Sequence, residues 1–64
     1  MKYTLKAIRI NNGFTQNEAA KKLGISLSAL INYENGKTLP NVAVIKKMEK
    51  VYNTTYDEIE FLQA

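Results

Sequence analysis

The segment from residue 16 to residue 35 constrains this chain most, because a glycine at its centre separates two helical patterns. Gly24 stands where the chain must turn sharply, and glycine adopts a left-handed conformation without a Cβ penalty. Ala20 is small where this segment must approach the preceding helix closely. The pattern therefore predicts two short helices joined by a tight turn. The apolar residues that would face their common core are Ala19, Leu23, Ile25, Leu30 and Tyr33.

The remaining residues must stabilise this helix pair by packing alone. With 64 residues, the chain is one domain at most, and a domain of that size buries only about 60% of its unfolded surface. It has no Cys and no His, which excludes disulfides and the usual zinc ligands. Its six carboxylates show no calcium-loop spacing. We therefore expect a single domain spanning residues 1–64, with no metal and no cofactor.

Capping residues divide the chain into short helices. Thr15, followed three residues later by Glu18, is a capping box, in which each side chain bonds the other's backbone. Ser26 and Asn41 are favourable N-caps for two later helices. No stretch alternates with a period of two for long enough to predict a strand, so the expected fold is all-α. The five predicted helices are residues 3–11, one opened by Thr15, residues 27–33, one capped by Asn41, and one from Thr55 that holds Ile59 and Leu62.

Charge is distributed unevenly along the chain. All nine Lys and Arg lie within residues 1–50, whereas three of the six carboxylates lie after them, which gives a basic body and an acidic end. This arrangement suits an anionic partner such as nucleic acid. No apolar run is long enough to span a membrane, and no signal peptide precedes the first amphipathic segment, so we expect a cytoplasmic protein.

These features resemble the phage-repressor family of helix-turn-helix domains, the XRE-type group that includes the lambda repressor, the 434 repressor and Cro. The resemblance runs from Leu5 to about Ile59 and implies a five-helix, lambda-repressor-like fold. It also implies a bacterial, phage or prophage regulator of transcription, more often a repressor than an activator, and no enzymatic activity. Beyond the helix-turn-helix at residues 16–35, it rests on Arg9, the F-T-Q sequence at residues 14–16, the Y-E-N-G-K sequence at residues 33–37, and Pro40.

The resemblance places the third helix in the major groove of DNA and pairs Arg9 with Glu34 as a structural ion pair. An asparagine such as Asn32 offers a donor and an acceptor that match adenine, and a leucine such as Leu27 can meet a thymine methyl group. Contacts to phosphate would position the protein without reading sequence. The expected base contacts are Gln16, Leu27, Ser28 and Asn32, and the expected phosphate contacts are Gln16, Asn17, Asn35, Lys37 and Thr38.

One such domain reads only a few base pairs, so family behaviour suggests a weak homodimer, or a dimer formed on an inverted-repeat operator. Its half-sites would lie about 34 Å apart, one turn of the double helix. The candidate contacts between the two copies are Leu39, Pro40, Tyr56 and Leu62.

An alternative function follows from two apolar residues on the outer face of the third helix. Related repressors commonly place polar residues there, whereas this chain has Leu27 and Ile31. These could read thymines or form a docking patch for a protein, and Ile31 could simply be half-buried. The alternative is a protein-interaction module of the same fold, antirepressor-like or antitoxin-like. We expect neither function to involve a membrane or a small-molecule substrate.

Overall fold

Four α-helices make up most of this computed structural model, which describes residues 2–62. A single 3₁₀ turn and two very short strands complete the described part of the chain. No helix within that part is both long enough and apolar enough to cross a membrane. In chain order the elements are β1 (Tyr3–Thr4), α1 (Leu5–Asn11), α2 (Gln16–Leu23), α3 (Leu27–Asn35), α4 (Val42–Val51), the 3₁₀ turn (Tyr56–Glu58) and β2 (Ile59–Glu60).

Each α-helix begins after a polar residue whose side chain accepts a hydrogen bond from the backbone N–H three residues on. This bond satisfies one of the donors that a helix start leaves without a partner. The caps predicted at Thr15, Ser26 and Asn41 are confirmed, and Thr4 adds a fourth. At Thr15 the box is reciprocal, since the Glu18 carboxylate accepts from the Thr15 N–H at 2.9 Å. The same bond lowers the pKa of Glu18.

The turn between α2 and α3 has the geometry that its glycine predicts. Gly24 adopts φ 70° and ψ 32°, in the left-handed region, and its N–H bonds the last carbonyls of α2. Ser26 then caps α3 directly, so that only three residues separate the two helices. A tight turn of this kind fixes the orientation of α3 relative to α2.

A single core lies among the helices. Leu23, Leu30 and Met48 are its most deeply buried large side chains, so that α2, α3 and α4 each contribute one of them. Phe14, Ile25 and Tyr33 are partly buried around this centre. The remaining members of the core are Leu5, Ile8, Ala19, Ala20, Tyr52 and Ile59.

The predictions of a fifth helix and of no strand are wrong within residues 2–62. Thr55 and Glu58 do interact, but the helix they begin is one 3₁₀ turn, after which Ile59 is extended at φ −93° and ψ 125°. Strand β2 pairs in parallel with β1, with Tyr3 opposite Ile59. Pairing with β1 gives the β2 backbone hydrogen bonds as soon as the strands meet. A fifth helix would first have to fix the backbone of several residues before its first hydrogen bond forms. Pairing also holds the Ile59 side chain in the core, where it is 2% exposed.

Strand β1 also shortens the first helix relative to its prediction. The expected helix over residues 3–11 instead begins at Leu5, because Thr4 is its N-cap and accepts from the Ala7 N–H at 3.1 Å. Strand β1 is therefore joined to β2, more than fifty residues later in the chain, through backbone pairing.

Candidate nucleic-acid interface

Helix α3 has a buried face and an open face. Leu30 is fully buried, while Leu27 is 38% exposed and Ser28 is exposed in the first turn of the helix. Ile31 and Asn32, one turn further on, are half-buried. The α3 residues expected to contact bases therefore differ in exposure, since Leu27 and Ser28 are more open than Asn32, and the first turn of α3 is its most open part.

The buried ion pair between Arg9 and Glu34 fixes the end of α3 against α1. Arg9 Nε donates to Glu34 Oε2 at 2.7 Å, and Nη2 donates to Oε1 at 3.3 Å, so the pair is bidentate. Arg9 Nη1 also donates to the Phe14 carbonyl at 3.0 Å, which ties in the loop before α2. The two side chains are 9% and 2% exposed, so solvent screens this pair little.

Gln16 joins the start of α2 to the same ion pair. Its Nε2 donates to Glu34 Oε1 at 3.2 Å, and the residue is half-buried. The bond uses one N–H of the amide and holds the side chain beside the C-terminal end of α3. Arg9, Gln16 and Glu34 therefore form one network that links α1, α2 and α3.

Tyr52 lies near this network and has an unusual hydroxyl. The residue is 2% exposed, and its hydroxyl has no hydrogen-bond partner among residues 2–62. Its ring lies 6.4 Å from that of Phe14, centroid to centroid. Burial raises the pKa of Tyr52 to about 12, helped by the Glu34 carboxylate and opposed by Arg9.

We expect Tyr52→Phe to remove a source of alkaline instability. Between the ordinary pKa of 10.0 and about 12, the unfolded chain loses the phenol proton and the folded chain keeps it. Each pH unit in that window then lowers the free energy of unfolding by up to about 1.4 kcal/mol. Below the window both states are protonated, and loss of an unpartnered hydroxyl leaves stability unchanged or slightly higher. Urea unfolding at several pH values measures both effects.

The matched control is Tyr56→Phe, because Tyr56 is 56% exposed. In this variant the free energy of unfolding should fall with rising pH as steeply as it does in the unsubstituted protein. The prediction would be contradicted if the free energy of unfolding fell equally steeply with pH in the Tyr52→Phe variant and in the unsubstituted protein.

The residues expected to contact phosphate lie at two places on the surface. Asn17 is exposed at the start of α2, close to Gln16 in the chain. Asn35 is the last residue of α3, and Lys37 and Thr38 follow in an exposed loop. The Lys37 N–H bonds the Asn32 carbonyl at 3.0 Å, which folds the start of this loop back onto α3.

The candidate dimer contacts differ in accessibility. Leu39, Tyr56 and Leu62 are 64%, 56% and 41% exposed, so their apolar surface is open in the single chain. Pro40 is buried within its own chain, so little of its surface is open to a second copy, and its role as a contact stays a prediction. Pro40 lies in the floor of a small apolar groove of about 150 Å³ whose lining includes Leu39, Ile45, Tyr56 and Phe61.

Two further residues, Val42 and Asn12, have roles that were not predicted from the sequence. Val42, at the start of α4, is 68% exposed and extends the apolar area beside Tyr56. Asn12 donates through its side chain to the Ile8 carbonyl at 2.9 Å and the Tyr52 carbonyl at 3.3 Å, joining α1 to the end of α4. Asparagine followed by glycine, as at Asn12 and Gly13, is typical of a helix end. No local signal predicts the hydrogen bond from Asn12 to Tyr52, which lies forty positions away.

A shallow groove of about 360 Å³ lies between α1 and the segment after α4. Among the described residues, no group of His, Cys, Asp or Glu is placed to hold a metal ion. The polar side chains along this groove are Tyr3, Asn11, Asn12, Tyr52, Asn53, Thr54 and Glu58.

Two helices joined by a tight glycine turn, with the second helix exposed at its start, define a helix-turn-helix domain. The family model described as helix-turn-helix matches residues 5–59. The chain belongs to this helix-turn-helix family, of the XRE type, whose members are DNA-binding regulators of transcription and not enzymes.

Several curated proteins are similar to this chain. The transcriptional regulator YazB of Bacillus subtilis is 42% identical over 55 residues, which are 86% of this chain and 80% of YazB. The regulator ImmR of the same organism is 40% identical over 53 residues, 83% of this chain and 42% of ImmR. The transcriptional activator BcrR of Enterococcus faecalis is 33% identical over 55 residues, 86% of this chain and 27% of BcrR. The chain thus spans most of YazB but less than half of the other two. No solved structure matches it.

Proposed function

We propose that this protein is a sequence-specific DNA-binding repressor that reads the major groove with α3. The observation that carries the proposal is the exposed first turn of α3, with Leu27 and Ser28 open above a fully buried Leu30. In helix-turn-helix proteins the residues near the start of the second helix reach the base edges. The ion pair of Arg9 and Glu34 supports this role, because it holds α3 in a fixed orientation.

Four residues would read bases. Asn32 would pair its amide with adenine N6 and N7, and Ser28 would donate to or accept from several bases and specify weakly. Leu27 would contact a thymine methyl group. Gln16 would reach a base edge or a phosphate from a position that its bond to Glu34 restricts.

Phosphate contacts would hold the domain in register on both sides of the groove. Gln16 and Asn17 lie at the start of α2, where unpaired N–H groups and the helix dipole favour an anion. Asn35, Lys37 and Thr38 would contact the backbone beyond the end of α3. Lys37 is the cation of this set, so it would contribute most of the set's dependence on salt.

The partner would be duplex DNA with an inverted repeat, bound by two copies of a single domain that spans residues 1–64. Leu39, Tyr56 and Leu62 would contribute apolar contacts between the copies, with half-sites about 34 Å apart. Repression requires only that the operator be occupied, whereas activation also requires a contact with the transcription machinery. A bacterial or prophage origin and a cytoplasmic location, at the nucleoid when bound, fit this role.

The alternative is a protein-interaction module that uses the outer face of α3. Leu27, at 38% exposed, supports it, while the half-burial of Ile31 reduces the apolar area available. A face of this kind would bind a protein with little dependence on salt. Phosphate contacts, by contrast, weaken steeply as salt rises.

The proposal is tested by selecting ligands from a random duplex DNA library with the unsubstituted protein and with a Ser28→Ala/Asn32→Ala variant. The unsubstituted protein should enrich an inverted repeat with half-sites one turn apart. The variant should lose preference at defined bases, because each lost base contact weakens binding by about 1–3 kcal/mol. Enrichment of no sequence even at low salt would overturn the proposal and direct attention to a protein partner at Leu27.

Two controls accompany the selection. Asn11→Ala changes an exposed asparagine on α1, outside the proposed contacts, and should leave the selected sequence unchanged. Lys37→Gln should weaken binding to all sequences and reduce the slope of log affinity against log salt by about 0.9 for each copy bound. A salt slope that Lys37→Gln leaves unchanged would remove Lys37 from the phosphate contacts.

A further inference from the structure

Gly36 is the residue at which the later part of the chain approaches the end of α3 most closely. It caps α3 in the left-handed region, with φ 78°. A Cβ placed on Gly36 would lie 2.8 Å from both the carbonyl carbon and the carbonyl oxygen of Leu62. Both are backbone atoms, which cannot rotate away as the end of a long side chain can. Glycine is therefore required here for contact as well as for conformation.

The other two glycines separate these two requirements. Gly13 has almost the same conformation, with φ 77°, and a Cβ placed there would meet no atom within 4 Å. At Gly24 the nearest atom would be Lys47 Nζ at 3.3 Å, the mobile end of a long side chain. Gly13 is thus a matched reference for Gly36, with nearly the same φ and with open space where a Cβ would lie.

The contact with Gly36 joins an anchored segment to the loop proposed to contact DNA. Ile59 is buried, and β2 is paired with β1, so the path of the chain toward Leu62 is fixed on one side. On the other side, Gly36 directly precedes Lys37, whose N–H bonds Asn32 at 3.0 Å. A shift at Gly36 would therefore move the backbone that carries the Lys37 side chain.

We propose that Gly36 and the segment at residues 61–62 position the loop of residues 35–38 for contact with the DNA backbone. Gly36 is a positioning residue and touches no phosphate itself, and the inference rests on the proposed DNA-binding function. Phosphate contacts set the orientation of a domain on the duplex, so their geometry affects affinity for every sequence. The Leu62 backbone would hold the loop through its close approach to Gly36.

The test compares Gly36→Asn with Gly13→Asn. Asparagine tolerates the left-handed region better than other residues with a Cβ, so backbone strain is small and similar at the two positions. The probe is the duplex enriched in the selection, with each variant assayed under conditions in which circular dichroism shows it folded. Gly36→Asn should bind about tenfold more weakly for each copy bound, the loss expected for one charge-assisted hydrogen bond. Gly13→Asn should bind as the unsubstituted protein does.

Two further readouts separate positioning from a general loss of stability. For Gly36→Asn, the slope of log affinity against log salt should fall by about 0.9 per copy bound, as one phosphate contact is lost. Hydrogen exchange of the Lys37 amide should become faster, while that of amides within α2 stays unchanged. A variant that is merely less stable would exchange faster throughout.

Leu62→Ala is a second variant and serves as a control, because it removes most of the Leu62 side chain and keeps the backbone atoms that approach Gly36. Its Lys37 amide should exchange as in the unsubstituted protein, whereas a loss of affinity in this variant would report the proposed contact between copies. If folded Gly36→Asn keeps the affinity, the salt slope and the Lys37 exchange rate of the unsubstituted protein, the inference about Gly36 is wrong. That result would leave the proposed function unaffected. Failure of the unsubstituted protein to bind any duplex would instead overturn the proposed function, and the positioning role with it.

Discussion

Glu34→Gln is expected to lower the free energy of unfolding by about 3–5 kcal/mol, because it leaves the Arg9 guanidinium buried without a carboxylate. The substitution keeps the size of the side chain, so the loss reports charge and hydrogen bonding more than packing. A domain of 64 residues has only about 3–10 kcal/mol to lose, at typical stability per residue. The variant should therefore be partly or largely unfolded at 25 °C. Urea unfolding followed by circular dichroism measures the change.

Two companion variants show whether the buried charge is the cause. Glu18→Gln removes a fully exposed carboxylate from the α2 capping box and should lower the free energy of unfolding far less than Glu34→Gln does. The Arg9→Met/Glu34→Leu double variant removes both charges and should recover most of the stability lost in Glu34→Gln. A Glu34→Gln loss no larger than that of Glu18→Gln would contradict this account.

The double variant also separates folding from DNA binding. Without the Glu34 carboxylate, the Gln16 side chain loses the acceptor that holds it at 3.2 Å beside α3. We expect the double variant to fold and yet bind the selected duplex more weakly, because Gln16 is then free to leave its position.

Leu30→Ala should mainly lower stability and Leu27→Ala should mainly weaken DNA binding, although both residues lie on α3. Leu30 is fully buried, so its truncation leaves a cavity and should lower the free energy of unfolding by about 2–5 kcal/mol. Leu27 is 38% exposed, and its truncation should cost less than about 1 kcal/mol of stability. Leu27→Ala should instead weaken DNA binding by about tenfold and relax the base preference at one position in each half-site.

The measurement pairs urea unfolding with titration of the selected duplex for both variants. Leu30→Ala is assayed for binding at a temperature at which it is folded, and it should then retain the base preference of the unsubstituted protein. A Leu27→Ala variant that binds every duplex as the unsubstituted protein does would remove Leu27 from the base contacts. Its exposed surface would then support the protein-interaction alternative.

The helices and the turn between α2 and α3 could be predicted because their signals are local. The caps at Thr15, Ser26 and Asn41 each act on an N–H three residues away, and the left-handed Gly24 acts on the carbonyls just before it. Such interactions depend little on the rest of the chain. The family resemblance added the pairing of Arg9 with Glu34, twenty-five residues apart, which periodicity alone does not indicate.

What the sequence by itself determined was therefore the four α-helices, the N-caps of three of them and the helix-turn-helix family. Only the tertiary structure decided that β2 pairs with β1, that Pro40 is buried, and that Leu62 packs on Gly36. The physical reason is distance along the chain. Thr55 and Glu58 carry a local signal for a helix, but the backbone bonds offered by β1 and the burial of Ile59 outweigh it.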